Sequence, residues 1–115
     1  MASVSQEPFG DHGMAVKLTG AFDLSNADGL GRGIAAAADG PRCLLLDLSE
    51  VTWLDSAAIG VIVFAARRAV DHGSSIGVVR PPDDVWQAFE TLALDSLFLV
   101  FGSREEAARD AAFAA

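Results

Sequence analysis

Apolar residues in this chain form short runs that alternate with segments of helical periodicity. Residues 43–48 are apolar except for Asp47, which is typical of a strand covered on both faces within a parallel sheet. Shorter apolar runs predict four more strands, at residues 3–9, 15–22, 75–79 and 97–101. The first of these carries Pro8, as an edge strand does, and a turn at residues 10–13 pairs it antiparallel with the second.

Helical periodicity predicts helices between and after these strands. Their expected ranges are about 26–38, 56–71, 85–92 and, after a capping box at 103–106, up to about 112. Ser25 with Asp28 matches a variant of the capping box before the first helix, and Asp83 is expected to cap the third. Residues 39–41 (Asp-Gly-Pro) and Gly73 are expected to end the first and second helices. The order β-β-α-β-α-β-α-β-α predicts an α/β fold with a mostly parallel sheet.

Composition and charge narrow the class of protein. The 115 residues, 51% of them hydrophobic, predict one domain over residues 1–115 whose core needs no metal or disulfide. The net charge of −8 and the single lysine, Lys17, argue against a nucleic-acid partner. No apolar stretch approaches the roughly 20 residues of a membrane span, and residues 1–9 lack the features of a signal peptide. The one cysteine, Cys43, fits a reducing compartment, so we expect a cytoplasmic protein without membrane insertion.

The predicted second helix is apolar on two opposite sides. One face is expected to lie in the core and comprises Ile59, Ile62, Val63, Ala66 and Val70. The opposite face carries Ala57, Gly60, Val61 and Phe64, here called the apolar stripe, and ends at Arg68. A solvated helix face is normally polar, so either another element of the domain or a protein partner is expected to cover this stripe.

Asp55 and Ser56 stand at the start of that helix. A phosphate on Ser56 would meet the unpaired amides and the positive end of the helix dipole. It would also place about −1.5 to −2 charges beside Asp55, which would oppose a protein contact at the stripe. This pattern suggests a phosphorylation site that acts as an off-switch. The alternative is that Ser56 only caps the helix.

Enzymatic and metal-binding alternatives find little support. Nucleophilic catalysis by Ser56 needs a base within reach, but His12 and His72 fall in predicted turns, and the Gly-x-Ser-x-Gly elbow is absent. Two histidines and one cysteine show no metal-ligand spacing. We therefore expect no enzyme, catalytic residue, cofactor or metal.

Two other phosphate sites are weaker alternatives. Asp47, near the end of a central strand, is placed like the acceptor of a phosphoaspartyl receiver domain. However, no lysine follows Lys17, and the acidic pair at residues 83–84 precedes the third helix. The glycines at 29, 31 and 33 lack the Lys-Ser/Thr ending of a P-loop and do not follow the dinucleotide pattern.

Three segments together resemble a STAS domain of the free-standing anti-sigma factor antagonist type. Residues 18–23 (Leu-Thr-Gly-Ala-Phe-Asp) resemble the family's Leu-x-Gly-Glu-Leu/Phe-Asp segment. Residues 45–61 resemble its strand and its Asp-Ser-Ser-Gly-Leu-Gly helix start, and residues 98–107 resemble its closing strand and helix. The resemblance covers nearly the whole chain.

The resemblance implies a STAS fold: a mixed, mostly parallel sheet of four to five strands, with about four helices mainly on one face. It also implies that the unphosphorylated protein binds an anti-sigma factor, a GHKL-type serine kinase that uses ATP and magnesium, and so regulates transcription. Phosphorylation of Ser56 would block binding, and a PP2C-type phosphatase would reset it. Asp23 is expected in a loop beside Ser56. The implied partner-binding residues are Asp23, Asp55, Ala57, Gly60, Val61 and Phe64.

The chain departs from the family pattern at three positions. Ala57 replaces a common second serine or threonine, Ala58 a glycine, and Ala21 a glutamate. Ala58 adds a methyl group where a partner is expected to approach. The alternative within the same fold is a structural STAS subunit of a lipid-transport or stress-signalling complex, without a phosphate cycle. The stripe is also a possible surface for self-association.

Overall fold

Five strands form one mixed sheet in the part of the chain that the computed structural model describes, residues 2–38 and 40–114. The strands lie side by side in chain order: β1 (Ser3–Phe9), β2 (Gly13–Phe22), β3 (Cys43–Leu54), β4 (Ser75–Val79) and β5 (Leu99–Phe101). β1 is antiparallel to β2, and the other neighbours are parallel, which confirms the predicted sheet. β3 extends well beyond its predicted end at residue 48, because its polar segment continues to pair with β2.

The helices follow the predicted order. They are α1 (Ala27–Ala38), α2 (Ser56–Asp71), α3 (Asp83–Thr91), α4 (Arg104–Arg109) and α5 (Ala111–Ala114), with a 3-10 turn at Asp95–Leu97. The predicted last helix is divided because Asp110 is extended (φ −81°, ψ 106°) and its carboxylate accepts the amides of Ala112 and Phe113. Asp83 does not cap α3; it lies in the first turn and pairs with Arg80.

Each face of the sheet carries its own hydrophobic core. Alternate residues of β3 point to opposite faces, as the period of a strand requires. Leu44, Leu46 and Leu48 pack with α1, α2 and α3 in the larger core. Leu45 belongs to a smaller core with Phe113 of α5 on the other face. The predicted burial of β3 on both faces is confirmed, and the three longer helices share one face.

The buried face of α2 is turned relative to the predicted one. Its buried residues are Ala58, Ile59, Ile62, Ala65, Ala66 and Ala69. Val63 is only partly buried, and Val70 is 52% exposed, so the prediction of a core position is wrong for Val70. The buried face is rotated because α2 packs against α1 as well as against the sheet. α1 lies on the side of Val61 and Ala65.

The start of α1 also differs from the prediction. Ser25 does not cap the helix, because its hydroxyl and amide donate to the carboxylate of Asp23. Asn26 precedes the helix, and its carbonyl accepts the first helical bond, from Leu30. The predicted stop at residues 39–41 includes Asp39, which lies outside the described residues.

Two glycines of α1 allow close packing against neighbouring elements. A Cβ atom at Gly31 would lie 3.2 Å from Cγ1 of Val61 in α2, and one at Gly33 would lie 2.7 Å from Cγ1 of Val4 in β1. These glycines therefore let α1 approach α2 and β1 closely, which explains why the helix tolerates residues of low helix propensity.

Within the described ranges, none of the helices has both the length and the apolar character needed to cross a membrane.

Candidate functional site

The junction between β3 and α2 is built around Asp55. Its backbone is extended (φ −88°, ψ −179°), and its Oδ1 accepts the amide of Ala58 at 2.9 Å, the geometry of a helix N-cap. Its own amide donates to the carbonyl of Phe22, the last residue of β2, at 3.2 Å. Asp55 therefore starts α2 and ties that start to the end of the neighbouring strand.

The loop between β2 and α1 is fixed against the same point. The second carboxylate oxygen of Asp55 accepts the amide of Leu24 at 3.1 Å. Within the loop, Oδ1 of Asn26 accepts the amide of Asp23 at 2.8 Å, and its side-chain amide donates to the carbonyl of Ala21 at 3.0 Å. The structure thus holds the loop that carries Asp23 against the residue preceding Ser56.

The carboxylate of Asp23 is held in its ionised form. The hydroxyl and the amide of Ser25 both donate to it, and these hydrogen bonds lower the pKa of Asp23 below its usual value. Asp23 is exposed. A negative charge is therefore present at this end of the sheet at neutral pH.

Ser56 is the first residue of α2 and is exposed. Because Asp55 supplies the cap, the alternative that Ser56 only caps the helix is wrong. The Ser56 hydroxyl makes no hydrogen bond to any residue in the described ranges 2–38 and 40–114. Ser56 thus presents an accessible hydroxyl at the positive end of a helix dipole.

The apolar stripe forms one wall of a groove of about 600 Å³ between α1 and α2. The opposite wall consists of Ala27, Asp28, Gly31, Arg32, Ala35 and Ala38. Val61 is partly covered by α1, whereas Phe64 remains 65% exposed and Gly60 is open to the groove. Another element of the domain, α1, therefore covers only the Val61 side of the stripe and leaves Phe64 exposed.

Two exposed apolar side chains near this site were missed by the sequence pattern. Leu24 is 79% exposed, although its amide is bonded to Asp55, and Trp53 at the end of β3 is 58% exposed. The register between β2 and β3 shifts at this point, because Thr52 of β3 has no partner in β2 between Val51 and Trp53. Trp53 lies directly after this irregularity and faces outward. The sequence pattern does not mark this irregularity, because it depends on how β3 pairs with β2 beyond the predicted end of the strand at residue 48.

Asp47 is a buried structural carboxylate. It is 4% exposed, accepts Nε of Arg104 at 2.8 Å and accepts the hydroxyl of Ser49 at 2.7 Å. Burial opposes its ionisation, but the hydrogen bonds from Ser49 and Arg104 outweigh burial and keep the pKa of Asp47 below its usual value. Arg104 also pairs with Glu7 of β1. These contacts occupy the carboxylate that a receiver domain would keep open for phosphate.

The two histidines lie far from Ser56. His12 belongs to the turn between β1 and β2, at the opposite end of β2 from the loop of Asp23. His72 caps the C-terminus of α2, and its Nδ1 lies 2.7 Å from the carbonyl of Arg68. Among the residues that the structure describes, no three His, Cys, Asp or Glu side chains are grouped to hold a metal ion.

The sequence matches a known family, and the fold is similar to solved structures. The sequence matches the family model described as "Mlab, STAS domain" over residues 5–100. No curated protein matches it. The fold is similar to an anti-sigma factor antagonist from Mycobacterium paratuberculosis, with a TM-score of 0.79 and 24% identity over 90% of this chain and 87% of the other.

A second protein, SpoIIAA, is similar in two states. The unphosphorylated form of this anti-sigma factor antagonist gives a TM-score of 0.76 with 15% identity, over 93% of this chain and 95% of the other. The phosphorylated form from Bacillus gives 0.69 with 13% identity, over 90% and 95%. At these identities the likeness establishes the common fold.

Proposed function

The chain belongs to the STAS domain family, and on that basis we propose that it is a cytoplasmic anti-sigma factor antagonist switched by phosphorylation of Ser56. The observation that carries the proposal is the division of roles at the start of α2. Asp55 caps the helix, which leaves the hydroxyl of Ser56 exposed and free for modification beside the apolar stripe. The protein acts by binding, and a partner kinase performs the chemistry.

The electrostatics of the site favour an off-switch. The first amides of α2 and the helix dipole would stabilise a phosphate on Ser56. That phosphate would add about −1.5 to −2 charges next to Asp55 and close to the loop that carries the exposed carboxylate of Asp23. A partner that docks over an uncharged hydroxyl would then face a concentrated negative charge and dissociate.

The exposed apolar residues around Ser56 supply the contact surface. Phe64 belongs to the stripe already expected to bind the partner, and Leu24, whose amide is bonded to Asp55, extends this surface to the loop. An exposed apolar groove wall that carries a large aromatic side chain favours a protein contact. The partner is an anti-sigma factor that is itself a GHKL-type serine kinase, and a PP2C-type phosphatase resets the switch. Through this partner, the protein regulates transcription.

The departures from the family pattern are compatible with this role. Ala57 leaves one hydroxyl at the helix start, so a single phosphate is expected. Ala58 is fully buried, so its methyl group lies in the core and not at the partner surface, contrary to the expectation from sequence. Ala21 is exposed near the end of β2 and leaves this end of the sheet with one carboxylate fewer than the family pattern.

The direct test is phosphorylation by the cognate kinase. Incubation with the kinase and ATP is expected to add one phosphate, measured as intact mass, and Ser56→Ala is expected to abolish the addition. Ser25→Ala serves as the matched control, because this neighbouring exposed serine bonds to Asp23. An unmodified protein in the presence of a kinase active on another substrate would refute the proposal.

A second candidate is a structural STAS subunit without a phosphate cycle. It is favoured by the description of the matched family model as Mlab. In that case Ser56 would only be a contact residue, and a Ser56→Asp variant would bind the partner as well as the wild type does.

A further inference from the structure

We propose that the groove between α1 and α2 is a binding site for a long-chain fatty acid. This inference does not depend on the phosphorylation of Ser56, because it concerns a small molecule that the groove itself would hold. The groove volume of about 600 Å³ falls within the range of about 300–1,000 Å³ typical of small-molecule sites.

The shape of the groove suits an acyl chain. α1 and α2 each follow one of two parallel strands, so they run side by side in the same direction. The wall of α2 from Ala57 to Arg68 rises about 16 Å at 1.5 Å per residue, the length scale of an extended acyl chain. Because Gly31 lies close to Val61, the floor is narrow; a partner helix, about 10 Å wide, would rest on the rim and leave the floor empty.

The lining is apolar along the length of the groove. Its side chains and glycines include Ala35 and Ala38 on α1, and Gly60 and Phe64 on α2. A Cβ atom added at Gly60 would meet nothing within 4 Å, so the groove is open directly above this residue. An acyl chain lying there would cover Phe64, which is 65% exposed in the free protein.

The charged residues that line the groove indicate at which of its ends the fatty-acid carboxylate would lie. Asp28 lines the groove near the start of α2, and it is the one acidic residue among the described lining residues. Arg32 lies one helical turn after Asp28 on α1, which partly neutralises it. Arg68 lines the other end, and it forms no ion pair with any residue in the ranges 2–38 and 40–114. The carboxylate is therefore assigned to Arg68, with the chain running towards Ala57.

Palmitate titration by calorimetry, below the concentration at which it forms micelles, tests the site. Wild-type protein is expected to bind one palmitate saturably. Gly60→Leu is expected to weaken binding at least tenfold by filling the groove. Gly29→Leu is the matched control and is expected to change affinity less than twofold, because Gly29 lies outside the lining and a Cβ there meets only Arg32, at 3.9 Å. Circular dichroism would verify that both variants fold.

The head group has its own test. Arg68→Gln is expected to weaken palmitate binding about fivefold, the effect of losing an exposed ion pair. Arg67→Gln, which removes an adjacent charge outside this groove, is expected to have no effect. Hexadecanol, which lacks the carboxylate, is expected to bind wild type and Arg68→Gln equally.

Two outcomes would overturn the inference. One is no saturable binding of palmitate to the wild type, and the other is equal binding to wild type and Gly60→Leu. If palmitate fails to bind while Gly60→Leu blocks an anti-sigma factor, the groove is a protein contact only. Because the titration contains no kinase, a negative result leaves the proposal for Ser56 standing, and an unphosphorylated Ser56 leaves the fatty-acid site standing.

Discussion

At the scale of single residues, Asp55 organises the candidate site through its two carboxylate oxygens. Oδ1 caps α2 through the amide of Ala58, and Oδ2 holds the amide of Leu24, thirty-one positions earlier in the chain. One side chain therefore fixes both the helix that presents Ser56 and the loop beside it. A capping role alone would have needed only the first of these bonds.

We expect Asp55→Ala to lower the free energy of unfolding by about 2 kcal/mol, about 1 for the lost cap and about 1 for the lost bond to the loop. Urea denaturation followed by circular dichroism measures this loss. Asp71→Ala, which removes a carboxylate from the last turn of the same helix, should leave stability unchanged or raise it slightly. Equal losses in the two variants would contradict the assigned role of Asp55.

At the scale of elements, α2 and α3 end in the same hydrogen-bond arrangement with different residues at the critical position. After α2, Gly73 has a φ of +89°, and the amide of Ser74 donates to the carbonyl of Ala69 at 2.9 Å. After α3, Ala93 has a φ of +56°, and the amide of Leu94 donates to the carbonyl of Phe89 at 2.8 Å. Both are Schellman motifs, but only Gly73 suits the left-handed conformation without strain.

We therefore expect Ala93→Gly to stabilise the protein by about 0.5–1 kcal/mol, the relief of left-handed strain less the added freedom of glycine in the unfolded chain. Gly73→Ala should have the opposite sign and cost about 1 kcal/mol. Thermal unfolding of both variants under the same conditions gives the comparison. If Ala93→Gly destabilised the protein, the strain inferred from its backbone angle would be refuted.

At the scale of the whole molecule, buried Asp47 joins distant parts of the chain. Arg104 at the start of α4 donates to Asp47 of β3 and pairs with Glu7 of β1. This tie lies on the face of the sheet where Phe101 and Phe113 form the smaller core with Leu45. It anchors the C-terminal helices to the sheet opposite the face that carries α2.

Arg104→Gln is expected to cost about 2–3 kcal/mol at pH 7, because it leaves the Asp47 carboxylate buried without its cation. Folding lowers the pKa of Asp47, so this carboxylate stabilises the fold above its unfolded pKa of about 4, and the contribution is lost as the pH falls through the lower folded pKa. Urea denaturation from pH 7 to pH 3 should therefore show the gap between wild type and variant narrowing. Arg109→Gln in the same helix is the control, and a gap independent of pH would contradict the role of Asp47.

Much of the fold follows from local pattern alone. The apolar run of β3 predicted a central parallel strand, and the periodicity of α2 predicted a helix that begins at Ser56. Both predictions hold because burial of these apolar residues requires that arrangement. The errors arose where tertiary contacts decided the outcome. Val70 became exposed because α1 turned the buried face of α2, and Asp110 divided the last helix through its own hydrogen bonds.

The candidate site was only partly predictable. The Asp55-Ser56 pair and the apolar stripe are local features of one helix, so sequence spacing identifies them. Leu24 and Trp53 could not be identified in the same way, because their exposure depends on a loop bond and on a register shift between two strands. The roles of all these residues in partner binding remain predictions.

The affinity of the protein for the proposed anti-sigma factor partner, measured with and without phosphate on Ser56, tests the central claim most directly. Stoichiometrically phosphorylated and unmodified protein would be titrated in parallel by calorimetry, with Ser56→Ala as the variant that accepts no phosphate. We predict that phosphorylation weakens binding at least tenfold, equivalent to about 1.4 kcal/mol, and that Ser56→Ala binds like the unmodified protein. Equal affinity of the phosphorylated and unmodified forms would contradict the switch.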